Sequence, residues 1–307
     1  QIVPSRTSRS IRARGRSGRR RRTGRVSAVP RLGHRAVVLG GSMAGLLAAR
    51  VLADAYHEVV VVDRDQLLGV TTPRRGVPQG RHVHGLLARG QQILDELFPG
   101  FTAAAMASGI PTGDLGELRW FFNARRLAPA ATGLICVSAA RPVLEAQVRA
   151  RVEALPNVVF ATGCDILGLT TTPDRSTITG VRVRYTGDGS PPGSPAEAPD
   201  GVADGAGAHR QLDADLVVDA TGRGSRTPAW LAELGYDRPA EQRVHIDLTY
   251  TTRHYRLRSP ERLNGDLSIN PVSTPSHPRG AFFSRIENGR CVLSLTGVLG
   301  DSAPTDP

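Results

Sequence analysis

The six residues Gly40-Gly41-Ser42-Met43-Ala44-Gly45 stand between two apolar runs, and their surroundings leave few folds open. Ala36–Leu39 is a short, unbroken apolar stretch, as a parallel strand buried on both faces requires. Beyond the turn, Leu46, Leu47, Val51 and Leu52 recur at helical spacing. Glu58–Val62 then reads as a second strand, ending on Asp63. Gly40 permits a tight strand-to-helix turn, a small residue at 42 lets the backbone approach a pyrophosphate, and Gly45 allows the helix to lie close on the sheet. The helix start offers unpaired N–H groups and a favourable dipole to phosphates. Asp63, about 20 residues beyond Gly40, can accept hydrogen bonds from ribose hydroxyls. Ser42 departs from the usual middle glycine, but serine is small and Gly41 adds freedom beside it. An isolated glycine-rich turn would carry little weight. Strand, turn, helix, strand and terminal acid in this order read as a dinucleotide-binding βαβ unit.

The 307 residues allow two domains. No apolar stretch reaches the ~18–20 residues of a membrane span, so none is expected. Cys136, Cys164 and Cys291 lie far apart and fit incidental buried thiols in a reducing, cytoplasmic setting, with no metal site. The formal charge of +11 comes with no lysine: every Lys/Arg-type cation is arginine. The excess sits in residues 1–35, which contain no acidic residue, and the rest is close to neutral. Residues 1–33 are expected to form a disordered Arg-rich leader. The first methionine is Met43, inside the turn, so the leader reads as disordered or mistranslated text ahead of a start near Val26 or Val29. A basic arm for nucleic acid is the rival reading, disfavoured because no aromatics interleave the arginines. Residues 34–236 alternate strand and helix patterns. Residues 187–209, rich in Gly, Pro, Ala, Asp and Ser, read as a flexible insert between strands at 180–186 and 211–216. Residues 237–307 turn β-rich, with candidate strands in 244–255 and 281–299.

Four stretches together resemble the two-domain FAD-dependent monooxygenases related to p-hydroxybenzoate hydroxylase, most of all their actinobacterial hydroxylase and epoxidase relatives. They are the βαβ unit with Val62-Asp63-Arg64-Asp65, the segment from Pro73 through Arg75 to Leu87, the stretch opening at Arg141-Pro142, and Leu216-Val217-Val218-Asp219-Ala220-Thr221-Gly222. Pro142 suits a first helical turn, and Leu144, Val148, Val152 and Leu155 form an apolar stripe. The resemblance implies an α/β fold: a three-layer, Rossmann-like FAD/NAD(P)-binding domain over 34–236, with 111–134 contributing to a second, mostly antiparallel substrate domain that begins at 237. It implies FAD held by Gly40, Gly41, Ser42, Met43, Ala44, Gly45, Asp63, Arg64, Arg75, Arg141, Thr221 and Gly222. His82 and His84 fit structural or pocket-lining roles, and Asp219 fits a turn cap.

The implied activity is NAD(P)H-dependent oxygenation of an electron-rich small molecule by dioxygen, through a flavin hydroperoxide. An isoprenoid-type flavin reductase is the alternative enzyme, and an inert fragment with a basic tail the non-enzymatic one. A halogenase is disfavoured by the absence of lysine. Thr221-Gly222 stands where such hydroxylases carry Asp-Gly, and no later Gly-Asp motif with a proline-containing helix follows. The chain is therefore expected to be cut before its last third, and residues 34–307 alone to be poorly soluble.

Overall fold

The computed structural model describes residues 31–82, 84–186, 207 and 209–306. The expected leader up to residue 30 and nearly all of the expected insert lie outside the described residues. In chain order the first elements are β1 (Gly33–Leu39), α1 (Met43–Ala53), β2 (Tyr56–Asp63), β3 (Gly85–Leu86), α2 (Ala88–Leu97), α3 (Phe101–Ala107) and β4 (Thr112–Asp114). Then come β5 (Arg119–Phe122), β6 (Arg125–Arg126), β7 (Ile135–Ser138), α4 (Arg141–Glu153), β8 (Val158–Thr162), β9 (Cys164–Thr171), β10 (Ile178–Tyr185) and β11 (His209–Asp213). The remainder is β12 (Leu216–Asp219), α5 (Thr227–Glu233), β13 (Thr249–Arg256), β14 (Ser268–Pro271), β15 (Arg279–Ile286) and β16 (Arg290–Gly297).

The apolar runs form the middle of a four-stranded parallel sheet, ordered β12-β1-β2-β8. Alternation along β1 and β2 sends successive side chains to opposite faces, and both faces are covered. Ala36, Val38, Val59 and Val61 pack with Leu46 and Ala49 of α1 and with Leu144, Val148 and Val152 of α4. Val37, Leu39, Val60 and Val62 pack with Cys164, Val181 and Val183 of the antiparallel meander β9-β10-β11, and with Trp230 of α5. Helices, parallel sheet and meander are the three layers. The expected stripe on α4 is the face that is buried.

A second, six-stranded sheet has the order β13-β16-β15-β14-β5-β6 and is antiparallel except where β14 meets β5. Its last two strands come from residues 119–126, far upstream of the others. A small sheet, β3-β7-β4, lies at the start of α4. The class is thus α/β with an added, mostly antiparallel sheet.

Two boundaries differ from the sequence reading. Residues 31–33 already belong to the fold: the Leu32 N–H donates to Ala55 O at 2.7 Å and Gly33 opens β1. The strand expected from Val244 begins at Thr249 instead. Val244 and Ile246 have the alternation of a strand but nothing to bury against, and they are 89% and 52% exposed. No helix among the described residues is long and apolar enough to cross a membrane.

Candidate cofactor cleft

The glycine turn has almost no spare room. A Cβ on Gly45 would lie 1.7 Å from Gly40 O, and one on Gly40 would lie 2.7 Å from Ala220 O. Gly40 also adopts φ +97°, which disfavours any side chain. These contacts let α1 start directly over the ends of β1 and β12. Ser42 occupies the N-cap position but makes no side-chain cap bond, and the first turn of α1 contains no acidic residue. The leading N–H groups of the helix therefore have no intrahelical acceptor and no carboxylate to serve them.

Asp63 closes the turn from β2. Its Oδ2 accepts from the Gly41 N–H at 2.7 Å and its Oδ1 from the Asp65 N–H at 2.8 Å. Met43 packs against the core, while Ala44 is exposed at the helix start.

Behind Ser42 lies a charged cluster. Glu145, with its side chain 4% exposed, meets Arg74 at 2.7 Å, Arg149 at 2.9 Å and Arg141 at 3.4 Å. The Ser42 hydroxyl donates to Glu145 Oε2 at 2.7 Å and accepts from Arg141 Nη2 at 3.0 Å. Arg74 also bridges to Asp65 at 3.0 Å and Asp63 at 3.5 Å. Three guanidiniums thus face three carboxylates, which is how buried charge is tolerated. Burial alone would push the Glu145 carboxyl up, but Arg74, Ser42 and Arg141 outweigh it and hold it below the usual carboxylate range. Burial works against the Arg149 cation as well, yet a guanidinium stays protonated in proteins.

The opposite wall comes from the loop after β12. Asp219 accepts from the Thr221 N–H at 2.8 Å, the Ser225 hydroxyl at 2.6 Å and the Thr227 hydroxyl, and so folds the loop into the start of α5. Gly222 there takes φ +69° with open space around it. Between the walls is a cleft of about 250 Å³, lined by Gly40, Ser42, Asp63, Arg64, Thr221 and Trp230 among others. That is smaller than the ~300–1,000 Å³ of complete small-molecule sites.

No protein-family profile matches the chain. Protein Rv3254 of Mycobacterium tuberculosis is 35% identical over 283 residues, which are 88% of this chain and 54% of that protein. The chain therefore spans about half the length of that relative. PqsL from Pseudomonas aeruginosa, in complex with 2-aminobenzoylacetate, aligns with TM-score 0.58 and 16% identity over 87% of this chain and 61% of PqsL. CndH, a myxobacterial FAD-dependent halogenase, aligns with TM-score 0.56 and 16% identity over 88% of this chain and 53% of its own. PieE, a flavin-dependent monooxygenase in complex with FAD and substrate, gives TM-score 0.54 and 18% identity over 91% and 45%. The chain has the fold of these flavin-dependent enzymes.

Set on this flavoenzyme fold, the residues present fit a dinucleotide diphosphate. The uncapped start of α1 faces a cleft whose rim includes Arg64, and Arg64 makes no ion pair among the described residues. Of the twelve residues that the sequence nominated, Gly40, Ser42, Asp63, Arg64 and Thr221 line the cleft, Gly41 and Gly45 shape its turn, and Arg141 stands behind Ser42. Arg75 is exposed and outside the lining, while its neighbour Arg74 is buried within it. Sequence reasoning missed Arg74, Glu145 and Arg149. The i,i+4 row Arg141-Glu145-Arg149 was the available signal, but beside the stripe of α4 it looks like a solvated edge until residues 67–77 cover it. His82 Nδ1 pairs with Thr252 Oγ1 at 2.9 Å, and His84 Nδ1 lies 3.0 Å from His82 O.

Proposed function

We propose that this chain binds FAD and forms the cofactor-holding part of an NAD(P)H-dependent monooxygenase. The observation that carries this reading is the uncapped N-terminus of α1, opening without an acidic residue onto a cleft edged by Asp63, Arg64 and Thr221. The diphosphate would take the leading N–H groups of α1, at Ser42, Met43 and Ala44. Asp63 and Arg64 would meet the adenosine ribose, with Val62, Ile166 and Trp230 as the apolar floor beneath the base. Thr221 and Gly222 would pass beside the diphosphate on the other wall. Arg141 acts on Ser42 from behind, and Arg75, exposed and outside the lining, would reach a bound dinucleotide only by extending toward it.

FAD held there supplies redox chemistry, passing electrons from a nicotinamide to dioxygen and an oxygen atom to an electron-rich small molecule. The chain's own contribution is position and electrostatics: an anion seat at α1, a neutralised charge cluster behind it, and a dry sheet beneath. We assign residues 34–236, apart from 111–134, to the cofactor domain, and 111–134 together with 237–307 to the substrate domain, in a cytoplasmic enzyme whose three buried cysteines stay reduced.

The test is a titration of the purified protein with FAD, following loss of flavin and tryptophan emission. Saturable binding that Asp63→Ala weakens is expected. Absence of saturable binding would refute the cofactor assignment. In the full-length protein, oxygen consumption coupled to NAD(P)H oxidation would separate a monooxygenase from a reductase, which needs no dioxygen.

A further inference from the structure

Helix α4 begins beside the cleft without a cap of its own. Ala140 at the N-cap position has no side-chain acceptor, Arg141 and Pro142 follow, and the first turn contains no acidic residue. Such a start leaves N–H groups in want of acceptors. The acceptor for the Ala140 N–H comes from the six-stranded sheet: Glu287 Oε2 lies 3.0 Å away. In a capping box, a Glu three residues into a helix reaches back to the N-cap N–H. Here Val143 stands at that position, and Glu287 does the same from a distant hairpin.

The hairpin is built to present it. Asn288 and Gly289 have φ of 61° and 64°, and the Arg290 N–H returns to Glu287 O at 3.3 Å. This is the type I′ connection for which Asn-Gly is the strongest sequence signal. The other carboxylate oxygen of Glu287 is held by the Arg290 guanidinium. Glu287 is 4% exposed, so its oxygens have no water to fall back on. Beside it run two further buried links: the Ser138 hydroxyl donates to Arg285 O at 2.7 Å and lies 2.6 Å from the Ser284 hydroxyl. The seam between β7 and β15 therefore ends one residue before Arg141, whose guanidinium reaches Ser42, and five before Glu145.

We propose that Glu287 is a positioning residue for the cofactor cleft. It fixes the first turn of α4, and through Arg141 and Glu145 it holds the Ser42 end of the dinucleotide turn in its binding shape. The inference rests on the dinucleotide reading above. It makes cofactor affinity depend on a hairpin of the other sheet that touches no part of the cleft.

Three variants of the full chain test it, with FAD as the probe. Glu287→Met keeps the volume but removes both acceptor oxygens, and should weaken FAD binding about tenfold. Glu287→Gln retains an acceptor for Ala140 and should restore most of that loss. Arg290→Met breaks the other contact of Glu287 and should lower thermal stability while leaving FAD affinity within about twofold. Unchanged affinity in Glu287→Met, or an equal loss in Arg290→Met, would overturn the proposal. Hydrogen exchange at the Ala140, Arg141 and Val143 amides, without FAD, gives a readout independent of the cofactor: it should quicken in Glu287→Met only. If the unaltered protein binds no FAD, the cofactor reading fails, and the exchange data alone decide whether Glu287 positions α4; equal exchange in both variants would show that it does not.

Discussion

Gly45 is the least replaceable residue of the turn, because the atom that a side chain would strike is the backbone oxygen of Gly40. Gly45→Ala must push α1 off the sheet, and a loss of roughly 2–4 kcal/mol is expected. Urea melts would measure it, and near-wild-type stability would show that the turn relaxes. Glu145 poses a different problem: removing its charge leaves Arg141 and Arg149 facing a neutral group, while Arg74 keeps only Asp63 and Asp65. Glu145→Gln should cost about 3–5 kcal/mol, the usual result of breaking a buried ion set. The Glu145 carboxyl titrates below its unfolded value, so its stabilisation is complete above the ordinary carboxylate range and is lost as pH falls through the depressed value. Melting temperature should therefore fall on acidification in the unaltered protein and fall less steeply in Glu145→Gln; parallel slopes would remove Glu145 from the account. The glycines were legible in the sequence because steric demand leaves one residue type for each place. The choice between Arg74 and Arg75 was not, since two adjacent arginines in a polar loop carry no periodicity to say which turns inward.

Among elements, the loop from β12 into α5 illustrates how one carboxylate can organise a wall. Asp219 bonds three successive hydroxyl-bearing residues, and although burial pushes its carboxyl up, Ser225, Thr221 and Thr227 outweigh this and hold it low. Its predicted role as a turn cap is what the geometry shows. Trp230 follows on α5, 4% exposed and against the cleft. With Trp120→Phe as background, Trp230 emission should be quenched by added FAD, and Asp219→Ala should abolish most of that quenching by releasing the loop. Quenching that survives Asp219→Ala would mean the wall is held by packing alone. β1, α1 and β2 could be read from the sequence because their apolar periods are unbroken. The strand start at Thr249 could not: Val244-His245-Ile246-Asp247-Leu248 alternates as a strand should, and only tertiary contact decides whether alternation is used. The joining of β5 and β6 to a sheet formed mainly 130 or more residues later was equally invisible, since pairing partners leave no local trace.

At the scale of the whole molecule, the uncovered apolar residues at 244–248 cluster at one edge, with Leu299 bonded through its N–H to Ile246 O at 3.2 Å and itself 65% exposed. Contiguous apolar surface of this kind promotes association. Replacing Val244, Ile246 and Leu248 with serine should reduce binding of a hydrophobic dye and raise solubility without lowering the melting temperature; a drop in melting temperature would show that these side chains pack in solution. The order of strands in the parallel sheet has a further consequence, in time rather than in space. β1 is flanked by β2, which follows within a few residues, and by β12, whose Leu216 pairs with Ala36. A chain emerging from the ribosome therefore carries β1 with one edge bare until more than half of its length has been made. Closing that long loop is slow, so refolding from denaturant should take seconds or longer and be the step that completes the Gly40–Ala220 contact. For all of that interval the turn nearest the start of the fold waits on a strand from its far side.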